Sequence, residues 1–284
     1  MPNIPIATGV RAFHERYPVW LCDIWGVLHN GVAVYPQAPA ALAQFRATGG
    51  IVVLVTNAPR PHAAIAGQIA KLGVPAGSYD AIVTSGDVTR ALIAAEAGHG
   101  VYHLGPAHDR VLFEGLGVSL VGVDEAKAVV CTGLFDDLTE TPETYVPALS
   151  AMREKSMPMI CANPDIVVER GAQICYCAGA IGQAYERLGG KVAYAGKPKA
   201  PIYEAALTAA ARLRGRPVDR SQALAIGDGL KTDMLGAFDF GLDALYVASG
   251  IHLEAAAGLT EAGLAALFAG QPSRPIAAVA RLAW

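Results

Sequence analysis

Three things are scarce in this chain, and each scarcity removes a class of function. The first is charge. Only 17% of the 284 residues are charged, with 22 basic against 25 acidic side chains and a formal net charge of −3. That balance offers no basic footprint for a nucleic acid. A phosphorylated small molecule stays in play, because a bound metal ion supplies positive charge locally. The second is cysteine. There are five, Cys22, Cys131, Cys161, Cys175 and Cys177, mostly inside apolar runs. An odd number in such settings reads as reduced core thiols of a cytoplasmic protein. Cys175-Tyr176-Cys177 lacks the spacing of a redox pair, and no second ligand pair accompanies it to make a zinc site. The third is the long apolar run. No stretch reaches the roughly 18 residues that a membrane span needs. The opening Met1-Pro2-Asn3-Ile4-Pro5-Ile6 lacks the basic-then-apolar order of a signal peptide, so none is expected.

What remains is core. The composition is 53% hydrophobic, enough to bury a large interior, and disorder is not expected. At about 100–200 residues per domain, the length allows two domains. Apolar runs ending in polar turns predict strands at 19–23, 51–55 and 81–84, separated by helices at 38–48 and 61–72. Ser85-Gly86-Asp87 reads as the cap of a further helix over 88–97. A β-α-β-α order of this kind predicts a Rossmann-like, doubly wound parallel sheet. Further elements follow: strands at 101–104, 120–123, 128–132 and 158–162, with helices at 142–154 and 178–188. They read as a second α/β unit set into the first. The expected partition is a core from 1–89 and 190–284 with an insert at 90–189. Strands at 192–195, 223–226 and 244–247 and helices at 201–214 and from Thr232 or Asp233 to about Phe240 return the chain to the core. Ser249-Gly250 and a helix-rich tail follow. The first 18 residues read as a lead-in with a short helix around 9–16.

Four strand ends carry the chemistry, because open α/β sheets build their sites at carboxyl ends of strands. Asp23 ends the run Trp20-Leu21-Cys22 and precedes Gly26. It suits a nucleophile on phosphorus or an oxygen ligand for a hard cation, and equally a turn cap. Thr56-Asn57 offers a hydroxyl, an amide and backbone N–H groups that suit a phosphoryl oxygen, or plain turn chemistry. Lys197, between Gly196 and Pro198, suits charge neutralisation or a solvated loop. Gly227-Asp228-Gly229 with Thr232-Asp233 places two carboxylates five residues apart across a strand–helix turn. That spacing suits one direct magnesium ligand and a second acting from behind it, and it is compatible with helix capping.

Taken together and in this order, Asp23-Ile24-Trp25-Gly26-Val27-Leu28, Val55-Thr56-Asn57, Gly196-Lys197-Pro198 and Gly227-Asp228-Gly229 with Thr232-Asp233 resemble the haloacid dehalogenase (HAD) superfamily of phosphohydrolases. The insert, with Ala162-Asn163-Pro164-Asp165, resembles the larger α/β cap of the NagD-like, 4-nitrophenyl-phosphatase and pyridoxal-phosphatase-type enzymes. The resemblance covers nearly the whole chain. It implies that Asp23 forms an aspartyl-phosphate on a small phosphorylated metabolite such as a sugar phosphate. It implies Mg²⁺ held by Asp23, the backbone carbonyl of Trp25 and Asp228, with Asp233 supporting from the second shell. Thr56, with backbone help from Asn57, would bind the phosphoryl group, and Lys197 would stabilise Asp23 and the transferring phosphate. Asn163 and Asp165 would face the rest of the substrate. The expected partner is that substrate alone, with no nucleic acid and no membrane; a homodimer is left open.

One position departs from the family pattern. Phosphatases of this type carry a second Asp two residues after the nucleophile, as general acid and then general base. Here Trp25 stands there, and an indole N–H donates a single hydrogen bond and shuttles no proton. Three explanations are open. Another group, with His29 as the candidate, replaces the missing acid/base. Or the substrate is activated and needs no acid. Or the fold binds a phosphometabolite with little or no turnover.

Overall fold

The computed structural model describes residues 3–170, 173–248 and 259–284. Compactness divides the chain into two units: Met1–Thr56, Ala66–Val83 and Tyr203–Trp284 in one, Asn57–Ile65 and Thr84–Ile202 in the other.

The first unit is organised on a seven-stranded sheet. Its strands are β1 (Ile6–Ala7), β2 (Val19–Asp23), β3 (Ile51–Thr56), β4 (Ala81–Thr84), β12 (Ala223–Gly227), β13 (Asp243–Val247) and β14 (Ala277–Val279). Their order is β1-β14-β13-β12-β2-β3-β4. The pairings from β1 across to β3 are parallel. β2 is buried along its whole length, which is why its sequence is continuously apolar rather than alternating. Chain order runs outward from β2 in both directions, to β3 and β4 on one side and to β12, β13 and β14 on the other. β2 therefore stands at the topological switch point, where open α/β sheets take their ligands.

The register sets the carboxyl ends level. Asp23 lies opposite Val55, and Cys22 lies opposite Ile226. Asp23, Thr56 and the turn after Gly227 thus emerge together. Helix α1 (Gln37–Ala47) joins β2 to β3 and α2 (His62–Lys71) joins β3 to β4, and α1 packs on the opposite, amino-terminal end of β2. Its Phe45 is fully buried and stacks on Trp20, with ring centroids 3.7 Å apart and planes within 3°.

The second unit holds a five-stranded sheet of β5 (Gly100–Leu104), β6 (Ser119–Leu120), β7 (Ala128–Cys131), β8 (Met159–Cys161) and β11 (Val192–Tyr194). The order is β11-β8-β7-β5-β6, and every pairing is parallel. Side chains alternate along β7. Val129 and Cys131 join Leu149, Met152, Ile181 and Tyr185 in one core, and Ala128 and Val130 join Ile93, Val101 and Leu112 in another. The helices that cover it include α3 (Ser85–Ala94), α4 (Val146–Glu154) and α5 (Ala178–Arg187). In sequence this sheet lies between β4 and β12.

Several elements differ from the sequence expectation. Helix α3 begins at Ser85, not Val88, because Thr84 is its cap. The Thr84 hydroxyl accepts the Asp87 N–H at 2.9 Å, and the Asp87 carboxylate accepts the Thr84 N–H at 3.1 Å. The lead-in and the tail supply β1 and β14, two short strands whose sequences carry no alternation. The strand expected at 120–123 is replaced by the two-residue β6, which shares only Leu120 with it. An antiparallel pair not anticipated, β9 (Val167–Arg170) with β10 (Gln173–Tyr176), precedes α5. Ser249-Gly250 lie outside the described residues. All five cysteines are buried free thiols. No helix among the described residues is long and apolar enough to cross a membrane.

The Trp20–Phe45 stack links α1 to the strand that delivers Asp23. Phe45→Ala is expected to cost about 3–5 kcal/mol of folding free energy, read as a lower urea midpoint with an unchanged slope. A loss below about 1 kcal/mol would show that the stack is not a principal support of β2.

Candidate active site

The first unit brings three acids together. Asp23, Asp228 and Asp233 each offer a carboxylate oxygen, and these ligand atoms all lie within 4.8 Å of one another. Asp23 and Asp233 are buried, and Asp228 is half-buried. Thr56, also buried, follows Val55 at the neighbouring strand end.

Local structure explains how the acids come so close. Gly26, three residues beyond Asp23, has φ +84°, and a Cβ there would collide with the Asp228 carboxylate. The turn after β2 thus needs glycine twice over, for its left-handed backbone and for the approach of Asp228. Asp233 comes back toward the strand end because the chain after β12 does not enter an α-helix directly. Leu230–Met234 form a π-helical turn, and α7 (Leu235–Phe240) follows it. The helix thus opens earlier than at Thr232 or Asp233, and those residues sit inside the wide turn, a feature that recurs at functional sites. Within it the Asp233 carboxylate accepts the Gly229 N–H at 3.1 Å and the Thr232 hydroxyl at 3.4 Å. Tyr246, opposite Gly227 on β13, lines the same end. Burial, with help from the Asp228 carboxylate, pushes its phenol up to about 12, so it stays protonated.

Three carboxylates in this space, all hard oxygen donors, suit a small divalent cation such as Mg²⁺ or Ca²⁺. Nitrogen and sulfur donors that would favour zinc are absent from the cluster.

The loop beyond Asp23 is tightly wound. The Gly26 N–H donates to the His29 carbonyl at 2.8 Å, and the His29 N–H donates to the Ile24 carbonyl at 3.4 Å. Trp25 is 38% exposed. His29, by contrast, is buried, and burial lowers its pKa. Its Nδ1 accepts the Gly31 N–H at 2.9 Å, which leaves the ring proton of the neutral form on Nε2.

The second unit gathers the other residues singled out in the sequence. The Asn57 amide pairs with the backbone of Lys197 on both sides. Its Oδ1 accepts the Lys197 N–H at 2.7 Å, and its Nδ2 donates to the Lys197 carbonyl at 3.1 Å. Nδ2 also donates to the Asp165 carboxylate at 2.8 Å. Asn163 Oδ1 accepts the Asp165 N–H at 3.0 Å. Turning the amide over would set Oδ1 against a carboxylate and a carbonyl, so the orientation is fixed by its partners. Asn57, Asn163 and Asp165 thus tie together the loops after β3, β8 and β11, and Lys197 is held by its backbone. The sequence gives no sign of this knot, because its members lie 108 and 140 residues apart.

Fold and site together define a doubly wound α/β protein with a cation-competent carboxylate set at its switch point. The sequence model described as haloacid dehalogenase-like hydrolase matches residues 20–119, and one described as HAD-hydrolase-like matches 194–267. A haloacid dehalogenase-like family hydrolase from Brucella suis 1330, known as a crystal structure, is 50% identical, with a TM-score of 0.83 over 87% of this chain and 94% of that one. The ribonucleotide monophosphatase NagD of Escherichia coli K12 is 29% identical over 81% of this chain and 87% of its own length. The 5'-nucleotidase YutF of Bacillus subtilis is 24% identical over 84% and 89%. The chain belongs to the haloacid dehalogenase-like hydrolase family.

If the three carboxylates hold a cation, millimolar Mg²⁺ should raise Tm of the wild type by several degrees through preferential binding to the folded state. Asp228→Asn should remove most of that shift. An equal shift in the variant would place the ion elsewhere.

Proposed function

We propose that this protein is a Mg²⁺-dependent phosphatase of small phosphorylated metabolites that works through an aspartyl-phosphate on Asp23. The observation that carries the reading is the convergence of the Asp23, Asp228 and Asp233 oxygens within 4.8 Å at the switch point. A nucleotidase and a nucleotide monophosphatase among its relatives point the same way.

In this reading Asp23, the Trp25 carbonyl and Asp228 would hold the ion, and Asp233 would support them from behind. The ion, when bound, neutralises phosphoryl charge. A carboxylate oxygen of Asp23 attacks phosphorus, and the bond from phosphorus to the leaving oxygen breaks with its electron pair on that oxygen. The Thr56 hydroxyl and the Asn57 N–H donate to the phosphoryl oxygens. Lys197 offsets the charge of Asp23 and of the transferring group. Water then attacks the phosphorus of the aspartyl-phosphate. Asp23 leaves as carboxylate, and the water's surplus proton passes to solvent. Residues 90–189 act as the cap that reads the remainder of the substrate, with Asn163 and Asp165 shaping the loop that does so.

Trp25 takes the place of the family's proton-shuttling Asp. His29 does not make good that loss, because its acceptor nitrogen already holds the Gly31 N–H. General acid–base help is worth about 10²–10⁴ in rate. Its loss falls on the first step only when the leaving group is poor, but on the second step always. A substrate with a good leaving group therefore loads Asp23 faster than water unloads it. A second reading, a phosphometabolite binder with little turnover, draws on the same residue.

Mg²⁺-dependent hydrolysis of 4-nitrophenyl phosphate is expected, and Asp23→Asn should abolish it. No turnover on that substrate or on a panel of phosphometabolites would favour the binder. In stopped flow, wild-type enzyme should release a burst of 4-nitrophenolate close to one equivalent before the steady state. Linear release from the first turnover would mean that some group does assist the attacking water.

A further inference from the structure

The Trp25 indole is neither loose nor buried. The His29 ring meets it edge-on, with centroids 5.2 Å apart and planes at 74°. Gly31, with φ +86°, lies against the benzo edge of the indole, where a Cβ would collide with it. The hydrogen bond from the Gly31 N–H to His29 Nδ1 locks these two supports to each other. Short backbone bridges from His29 to Trp25 and to Val34 brace the loop that carries them. The ring is thus clamped in one orientation, yet 38% of the residue stays open. Clamping a large aromatic side chain at an exposed position has no use for core packing, since no core gains from it. It removes the rotamer entropy that a ligand would otherwise have to freeze.

Position gives the clamp its meaning. Trp25 is two residues beyond Asp23 and is followed directly by Gly26, whose Cα abuts the Asp228 carboxylate. In the phosphatase reading, with Asp23 as nucleophile, the residue that stands in place of the proton donor is the one that meets the leaving group. From this we infer that Trp25 is a specificity-determining residue, a preset stacking surface for a planar leaving group, and that the substrates are phosphate monoesters of phenols or enols. The inference rests on the phosphatase reading and deepens it. Two independent features lead to the same class. The indole face favours a flat, conjugated group. The lack of a proton donor at this position demands a leaving oxygen that departs as a stabilised anion. Phenolates and enolates satisfy both demands, whereas alkoxides satisfy neither. In the transfer step the ester oxygen keeps the bonding pair, leaves as phenolate or enolate against the indole, and takes its proton from solvent afterwards.

The test uses the full-length protein with Mg²⁺, ring-substituted phenyl phosphates, and glycerol 3-phosphate as the alkyl comparison. Wild type should show kcat/KM that rises steeply as the leaving-group pKa falls, with glycerol 3-phosphate slower by about 10² or more. Trp25→Ala should raise KM for phenyl phosphates about tenfold, and Trp25→Phe should retain most of the affinity. Trp25→Asp should increase turnover of glycerol 3-phosphate. A readout free of turnover is calorimetric binding of phenylphosphonate against methylphosphonate. Wild type and Trp25→Phe should prefer the phenyl compound about tenfold, and Trp25→Ala should not. Equal binding of the two phosphonates by wild type, or an unchanged phenyl preference in Trp25→Ala, overturns the platform while leaving the phosphatase reading intact. Absence of all Mg²⁺-dependent turnover overturns the phosphatase reading, and the phosphonate pair then still decides whether Trp25 binds a planar group.

Discussion

The constraint on which this structure turns is the crowding of three carboxylates into a space less than 5 Å across. Two unit charges at such a separation repel by roughly 4 kcal/mol at the effective dielectric typical of protein sites. A protein at the margin of stability does not assemble three of them without a reason. The surrounding features serve that assembly. A fully buried strand delivers Asp23. Gly26 yields the space that Asp228 occupies. The π-helical turn returns Asp233 to a position where the Gly229 N–H and the Thr232 hydroxyl meet its carboxylate. Each device sacrifices some local regularity of strand, turn or helix. Together they hold an electrostatic arrangement that a small dication would relieve.

How much of this can be read from the sequence depends on the range of the interaction involved. The central strands are legible because burial on both faces writes itself as an unbroken apolar run, as in Ile51-Val52-Val53-Leu54-Val55. The strand-end acids are legible because glycines frame them. Helix α3 is misread at its start, since Thr84 ends a strand and caps a helix at once, while Ser85 and Asp87 are equally good caps on paper. The π turn is invisible, because the same residues would start an ordinary helix. β1 and β14 escape because each is only two or three residues long and gains its identity from its partner. The Asn57 knot escapes altogether. An amide that binds a backbone 140 residues away leaves no local trace.

That knot alters the sense of the residues it contains. Read one at a time, Asn57, Asn163 and Asp165 look like groups waiting for a ligand. In the fold the Asn57 amide, the Asn163 Oδ1 and an Asp165 carboxylate oxygen bond to one another's groups and to the Lys197 backbone. A hydrogen-bonded network of this kind favours one arrangement of three loops. These bonds fix the backbone of Lys197, the residue to which the proposed mechanism gives the charge.

Trp25 and His29 follow the same logic in the first unit. A histidine two residues from a turn glycine looks like a proton shuttle until its acceptor nitrogen is found on the Gly31 N–H. An aromatic residue in the place of a proton donor looks like a lesion until its ring is found clamped and open. Replacing a proton donor by an aromatic face does not weaken every substrate equally. It penalises esters whose oxygen must be protonated to leave, and spares those whose oxygen leaves as a conjugated anion. The same ring that withholds the proton also favours the flat group that does not need one. Loss of one catalytic device and gain of one recognition surface act on a single quantity, the stability of the departing oxygen beside Asp23. In the proposed reading, such a site keeps its capacity to accept a phosphoryl group and narrows the set of donors from which it accepts it.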